Sequence, residues 1–218
     1  MVAVTVSIIV LLVAGATAGL LGARLLRTGV HPAVVPAWPC ACVTAFLWAV
    51  TGLRWQAGAL PGWWLPTALG VAFMAVPLVA ADLRHRRLPD VLTLGAWPLF
   101  TMGLAIAAWC GPGSPLAVRA LTGALLFGGV HAAVRAVSPG SLGAGDVKLA
   151  FALGAVLGAL GWTALVLAAV LAAIVTVLFA AAGALRRSDS WRSGVPHGPG
   201  MLAAAWLLTV FQAVRPAG

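Results

Sequence analysis

Four aspartates make up the whole acid complement of the chain: Asp82, Asp90, Asp146 and Asp189, with no glutamate. Two of them stand where an apolar run meets a polar one. Asp82 follows Val-Ala-Ala, and Asp146 lies in Gly143-Ala-Gly-Asp-Val-Lys-Leu149. An aspartate at the centre of a membrane helix costs about 2.5–3.5 kcal/mol on insertion scales, and less at a helix end, so such a group is a candidate for function. A pair of carboxyls supports two chemistries. Sharing one proton, they divide acid and base work: one ion activates water, and the neutral partner hydrogen-bonds a carbonyl. Alternatively, they bind a cation or relay protons. The local context favours a built site. Gly143 and Gly145 permit close backbone approach, and Asp146 then opens a helix, a favourable place for a carboxylate. Pro89-Asp90 is a turn signal and a helix start. Four acids are few for metal-assisted phosphoryl transfer, and Cys40-x-Cys42 lacks a second ligand pair. No metal and no cofactor is therefore expected, and Cys40, Cys42 and Cys110 read as small apolar packing residues.

The elements that must position these acids follow from composition. Of 218 residues, 62% are hydrophobic and 8% charged, against about 25% charged in an ordinary soluble domain. Mean hydropathy is +1.08. That excludes a soluble enzyme, a disordered chain and a disulfide-stapled secreted domain. It leaves an all-α polytopic membrane protein of one domain, residues 1–218. Apolar runs place about eight transmembrane helices, near 2–23, 37–53, 63–81, 91–110, 116–137, 147–160, 162–185 and 200–215. The apolar stretch from Val147 to Leu185 is too long for one span. It is divided at Gly158-Ala-Leu-Gly161-Trp162. Gly154-x-x-x-Gly158 is a small-residue pattern that predicts close helix packing. Trp63 and Trp64 are expected at the membrane interface. No positive residue precedes the first apolar run, and Arg24 and Arg27 follow it, which favours an uncleaved first span over a signal peptide.

Net charge is +9, from twelve Arg and Lys148. These residues are scattered between apolar runs, so they read as orientation signals and not as a nucleic-acid interface. Loops after spans 1, 3, 5 and 7 hold Arg24, Arg27, Arg84, Arg86, Arg87, Arg135, Lys148, Arg186, Arg187 and Arg192. The opposite side holds Arg54, Arg119 and Arg215. The positive-inside rule puts the first group in the cytoplasm and both termini outside. All four Asp then fall at the cytoplasmic face.

The sequence resembles the type IV prepilin peptidases, GxGD-type aspartic proteases of the membrane. Gly143-Ala-Gly-Asp146-x-Lys148-Leu149 matches the GxGDxK signature, and Asp82-(x6)-Pro89-Asp90-x-x-Thr93 matches the segment around the first catalytic Asp. Val195-Pro196-His197-Gly198-Pro199 resembles the late Pro-Phe-Gly-Pro motif. The three occur in family order over about residues 70–205. The resemblance implies a catalytic pair, Asp82 and Asp146, with Gly143, Gly145, Lys148, Pro89, Asp90, Pro196, Gly198 and Pro199 in support. It also implies a bacterial inner-membrane enzyme. The substrate is then the leader peptide of a prepilin or pilin-like protein, cut after a Gly at the cytoplasmic face.

Two departures stand out. The full-length members carry a cytoplasmic domain with paired cysteines between the first two spans. Here that loop runs only from Arg24 to Pro36 and has no cysteine, so the chain looks like the peptidase-only form and N-methyltransferase activity is doubtful. His197 takes the place of the expected Phe. It reads as packing or as a pH-sensitive contact. His131 and Arg135, one turn apart, face a polar interior or the cytoplasmic surface. Lys148 and Arg84 suit a lipid phosphate or an acidic substrate residue. The helix dipole predicts Asp146 as the base and Asp82 as the acid. The rival reading is a small transporter that couples protons or cations through the same Asp pair. It expects acids nearer mid-membrane than these.

Overall fold

Lipid offers no partners to backbone N–H and C=O groups, so an apolar chain of this kind closes its hydrogen bonds within helices. The computed structural model describes residues 2–28, 31–140, 142–185 and 196–212. Among them are eight α-helices: α1 (Val2–Leu25), α2 (Ala37–Gln56), α3 (Leu65–His85), α4 (Asp90–Cys110), α5 (Ser114–Val137), α6 (Ala144–Leu160), α7 (Trp162–Leu185) and α8 (Gly198–Phe211). A 3-10 turn, Gly62–Trp64, leads into α3.

The expected spans therefore exist as helices, with ends displaced by a few residues. Five are long and apolar enough to cross a membrane: Val4–Leu25, Gly62–His85, Asp90–Cys110, Ser114–Val137 and Trp162–Ala182. Gly198–Phe211 is a shorter apolar helix. The division of the long apolar stretch falls at Gly161, whose φ of 124° is a conformation that L side chains rarely adopt. Asp189, Val195, Arg186, Arg187, Arg192 and Arg215 lie outside the described residues.

Helix α3 is the centre. It packs against α1, α2, α4 and α8, while α1 pairs with α2 and α5 with α6. Its inward face carries Ala68, Val71, Ala75 and Leu78, all buried. Outward faces of α1, α5 and α7 keep large apolar side chains exposed, among them Val10, Leu125 and Val177. On a soluble protein such faces would drive aggregation; against acyl chains they are the expected surface.

Trp64 departs from the interface position expected of it. It is fully buried, and its indole N–H donates to the Thr209 carbonyl at 3.0 Å, because a buried indole needs an acceptor. Trp63 packs edge-on against it. At the same end Arg54 donates to the Val210 carbonyl and lies over the Phe211 ring. Of the cysteines only Cys40 is buried; Cys42 and Cys110 are exposed, and all three are free.

The Gly154–Gly158 pattern does mark close packing. A Cβ on Gly158 would meet the Arg119 carbonyl and lie 2.7 Å from the Gly123 Cα, both backbone atoms of α5. Gly158→Ala should therefore separate α5 from α6 and cost about 1–3 kcal/mol, the usual range for overpacking. Gly129→Ala, which meets nothing within 4 Å, should be neutral or slightly stabilising. Apparent melting temperatures in detergent give the comparison, and equal values for the two variants would contradict the packing.

Candidate active site

The Asp82 carboxylate sits inside α3, one turn before its end, and not in the loop where the sequence places it. Helix α3 continues to His85 because Arg86 takes up the left-handed conformation (φ 52°, ψ 41°) and returns its N–H to the Asp82 carbonyl at 2.8 Å. This is the C-cap usually given to Gly. Asp82 is thereby 5% exposed. A carboxyl so enclosed needs donors. It receives one from the Gly198 N–H, 3.2 Å from Oδ2, at the start of α8.

That hydrogen bond depends on the missing side chain of Gly198. A Cβ there would lie 2.7 Å from Asp82 Oδ2 and 3.3 Å from the Leu88 side chain. Leu88 also fills the other side. A Cβ on Gly145 would lie 2.8 Å from the Leu88 Cβ and 3.0 Å from its carbonyl. Leu88 is thus wedged between the first turns of α6 and α8, tightly against Gly145 and in close contact with Gly198. The sequence drew attention to the glycines but not to Leu88, whose burial beside Pro89 is a signal only once the three segments are seen to converge.

Asp146 is held locally. It occupies the first turn of α6, and its Oδ2 accepts the Gly143 N–H at 3.0 Å, the backward reach of an N3 carboxylate to the N-cap. Its Oδ1 is buried without a hydrogen-bond partner. The two carboxyls are close enough to act on each other electrostatically. Arg86 faces Asp82, and His131 and Arg135 face Asp146. Arg135 also donates to the Leu142 carbonyl at 2.6 Å, so it belongs to the site wall.

The remaining expected residues divide. Asp90 begins α4 and pairs with Lys148 at 2.6 Å, joining the two Asp-bearing segments. Pro89 is buried and accepts from the Thr93 hydroxyl at 3.3 Å. Pro196 and Pro199 are buried on either side of His197 and Gly198. His197 is half-buried, and burial with the His131 ring nearby holds its imidazole below the ordinary histidine value, hence neutral at pH 7. The described residues contain no group of three or more His, Cys or Asp that could hold a metal.

An apolar groove of about 700 Å³ runs beside α3 between α2, α7 and α8. Val79, Ala80, Leu83, Arg84 and Pro199 line it; Leu83 and Pro199 are the chain neighbours of Asp82 and Gly198.

A family profile described as the type IV leader peptidase family matches residues 68–181, just over half of the chain. The chain is 33% identical over 150 residues to a protein of Aeromonas salmonicida named prepilin leader peptidase/N-methyltransferase. It is 32% identical over 151 residues to one of Aeromonas hydrophila with the same name. Each match covers 67% of this chain and 50% of the relative, so the chain spans about half the length of the curated relatives it matches. No solved structure gives a significant match.

Gly198→Ala keeps the N–H but should crowd the Asp82 carboxylate out of its reach. An unsatisfied buried acceptor costs about 1–3 kcal/mol, read as lower unfolding stability in detergent. Adding Asp82→Ala to the same chain removes the crowded partner and should recover part of the loss. A double variant no better than Gly198→Ala alone would contradict the contact.

Proposed function

The chain belongs to the type IV leader peptidase family, and from that membership we propose that it is a membrane aspartic endopeptidase with Asp82 and Asp146 as its catalytic pair. Its substrate is the leader of a prepilin or pilin-like protein, cut after a Gly at the cytoplasmic membrane face. One observation carries this reading. Two carboxyls from helices far apart in sequence lie within electrostatic reach of each other, with Gly198 against Asp82 and Gly145 against Leu88 where side chains would hold the segments apart.

In the proposed mechanism the pair holds one proton. Asp146 acts as the base. Its Oδ1 is buried without a hydrogen-bond partner, and burial holds its carboxyl above the ordinary aspartate value, offset in part by the Gly143 N–H, His131 and Arg135. Asp82 acts as the acid that hydrogen-bonds the scissile carbonyl, and the Gly198 N–H fixes its orientation. The ionised Asp146 takes a proton from water as the oxygen attacks the carbonyl carbon, and the leaving amine collects a proton from the pair. The apolar groove beside α3 offers the substrate's apolar helix a seat.

Eight membrane crossings fit this placement. The connection before α2 is tied to the one after α3, since Arg87 donates to the Pro32 carbonyl and the His85 ring meets the Val34 carbonyl. The Asp90–Lys148 pair ties in the start of α6. The loops that carry most basic residues therefore share one end, which the positive-inside rule assigns to the cytoplasm. Both termini then face outside. Helix α6, 17 residues long, is about 25 Å at 1.5 Å per residue. Methyl transfer, which the relatives' names carry, is not part of the proposal, because the loop from Arg24 to Pro36 has no cysteine pair.

Membranes containing the wild type should process a prepilin-like substrate, and Asp82→Asn and Asp146→Asn should each lower the rate by at least about a hundredfold, the scale of a lost acid–base group. Full processing by either variant overturns the mechanism. Proton or cation flux through reconstituted protein, lost in the same variants and with no cleavage, would replace it with a transport role.

A further inference from the structure

The apolar groove beside α3 has two distinct ends. Pro39 and Arg84 stand at one, and Leu47, Ala75 and Trp206 at the other. From Arg84 back to Ala75, α3 rises about 14 Å at 1.5 Å per residue. That is the depth of one leaflet, half of a hydrocarbon core of about 30 Å. Past Leu47 the helices close, because the Trp48 indole N–H donates to the Leu69 carbonyl at 3.1 Å and joins α2 to α3. The side of the groove reaches the surface of the bundle, where Val43 and Leu83 are exposed. An apolar cavity of about 150 Å³ accepts benzene, so about 700 Å³ takes an acyl chain with room to spare. A spanning helix would use the groove for only half of its roughly 30 Å; an acyl chain fills it from end to end.

The charge at the shallow end is unassigned. Arg84, His85, Arg86 and Arg87 follow one another after Leu83, and three of them are engaged. The His85 ring meets the Val34 carbonyl, Arg87 donates to the Pro32 carbonyl, and Arg86 faces Asp82. Arg84 is exposed. Among the described residues it is the only charged side chain that lines the groove, and it has no ion-pair or hydrogen-bond partner there. The exposed acid Asp90 is taken by Lys148. A guanidinium at the mouth of an apolar cleft one leaflet deep matches a phosphate with an acyl tail below it. Basic pockets between membrane helices hold anionic headgroups in this way.

We propose that this groove binds one anionic phospholipid, with its phosphate on Arg84 and an acyl chain along α3 toward Ala75 and Trp206. The site stands on the groove and its one free guanidinium, and not on the peptidase reading. Where that reading also holds, the lipid is the occupant that a substrate helix displaces.

Trp206 lines the deep part of the groove, where bromine carried in mid-chain by a lipid quenches indole fluorescence. The full chain is placed in phosphatidylcholine vesicles that hold a minor fraction of brominated phosphatidylglycerol or, in parallel, of brominated phosphatidylcholine. The share of Trp206 is the difference from Trp206→Phe in the same vesicles. The anionic lipid should be favoured there by about fivefold, the scale of one basic residue at an anionic headgroup. Arg84→Gln should lose this preference. Arg84→Lys keeps the charge and should keep the preference, as should Arg27→Gln, which removes an exposed charge outside the groove. A second reading needs no tryptophan: phosphatidylglycerol retained per protein after purification in detergent should fall about fivefold in Arg84→Gln. Equal quenching by the two lipids, or a preference that survives Arg84→Gln, overturns the site. So does a Trp206 emission that neither brominated lipid alters but an added apolar helix peptide does, which makes the groove a seat for protein alone.

Discussion

A carboxyl buried at the end of a membrane helix has to be met by donors, and the donors have to come from backbone. Asp82 meets this requirement through the Gly198 N–H, and this one hydrogen bond ties the last turn of α3 to the first turn of α8. It is possible only because two glycines let α6 and α8 close on Leu88 from opposite sides. The same closure brings Asp146 within electrostatic reach of Asp82. Removing the wedge, or adding a methyl group at either glycine, would separate three segments at once.

The two carboxyls are held in different ways, and the difference matters for chemistry. Asp146 is fixed by its own helix, through a contact spanning three residues. Asp82 is fixed by a partner 116 residues away. The local contact forms with the helix. The distant one forms only when the bundle is assembled, so bringing the two carboxyls together requires the complete arrangement of α3, α6 and α8. The pair between Asp90 and Lys148 is a weaker tie, as both side chains are substantially exposed and such pairs contribute about 0–1 kcal/mol. Its role is alignment of α4 with α6 more than stability.

Much of this was legible in the sequence. Length and hydropathy placed every helix, and the division near Gly161 follows from the 1.5 Å rise and the reach of a bilayer. The glycines before Asp146 marked a close approach, and Gly198 stood out only through the resembled motif. What was not legible depended on tertiary contact. Asp82 reads as a loop residue because polar neighbours follow it. The left-handed turn at Arg86, a residue type that rarely adopts it, extends the helix past that point. Trp64 reads as an interface anchor from its neighbours Trp63 and Pro61, and only the Thr209 carbonyl explains its burial. Leu88 has no distinguishing sequence feature at all. Lys148 reads as a free cation because its partner lies 58 residues away.

The scarcity of acids acquires a physical meaning from this geometry. A bundle whose exterior is apolar can tolerate few carboxyls, and each must be neutralised, donated to, or left in water. Asp90 is neutralised by Lys148. Asp82 and Asp146 are donated to, each by one backbone N–H at the start of a helix. For Asp146 the one N–H found among the described residues is less than the four acceptor sites of an ionised group demand. The shortfall is visible as the unpartnered Oδ1 of Asp146. A third carboxyl at this end would add repulsion without a donor to offset it. A site built this way suits the sharing of one proton that the proposed acid–base catalysis by a carboxyl pair requires.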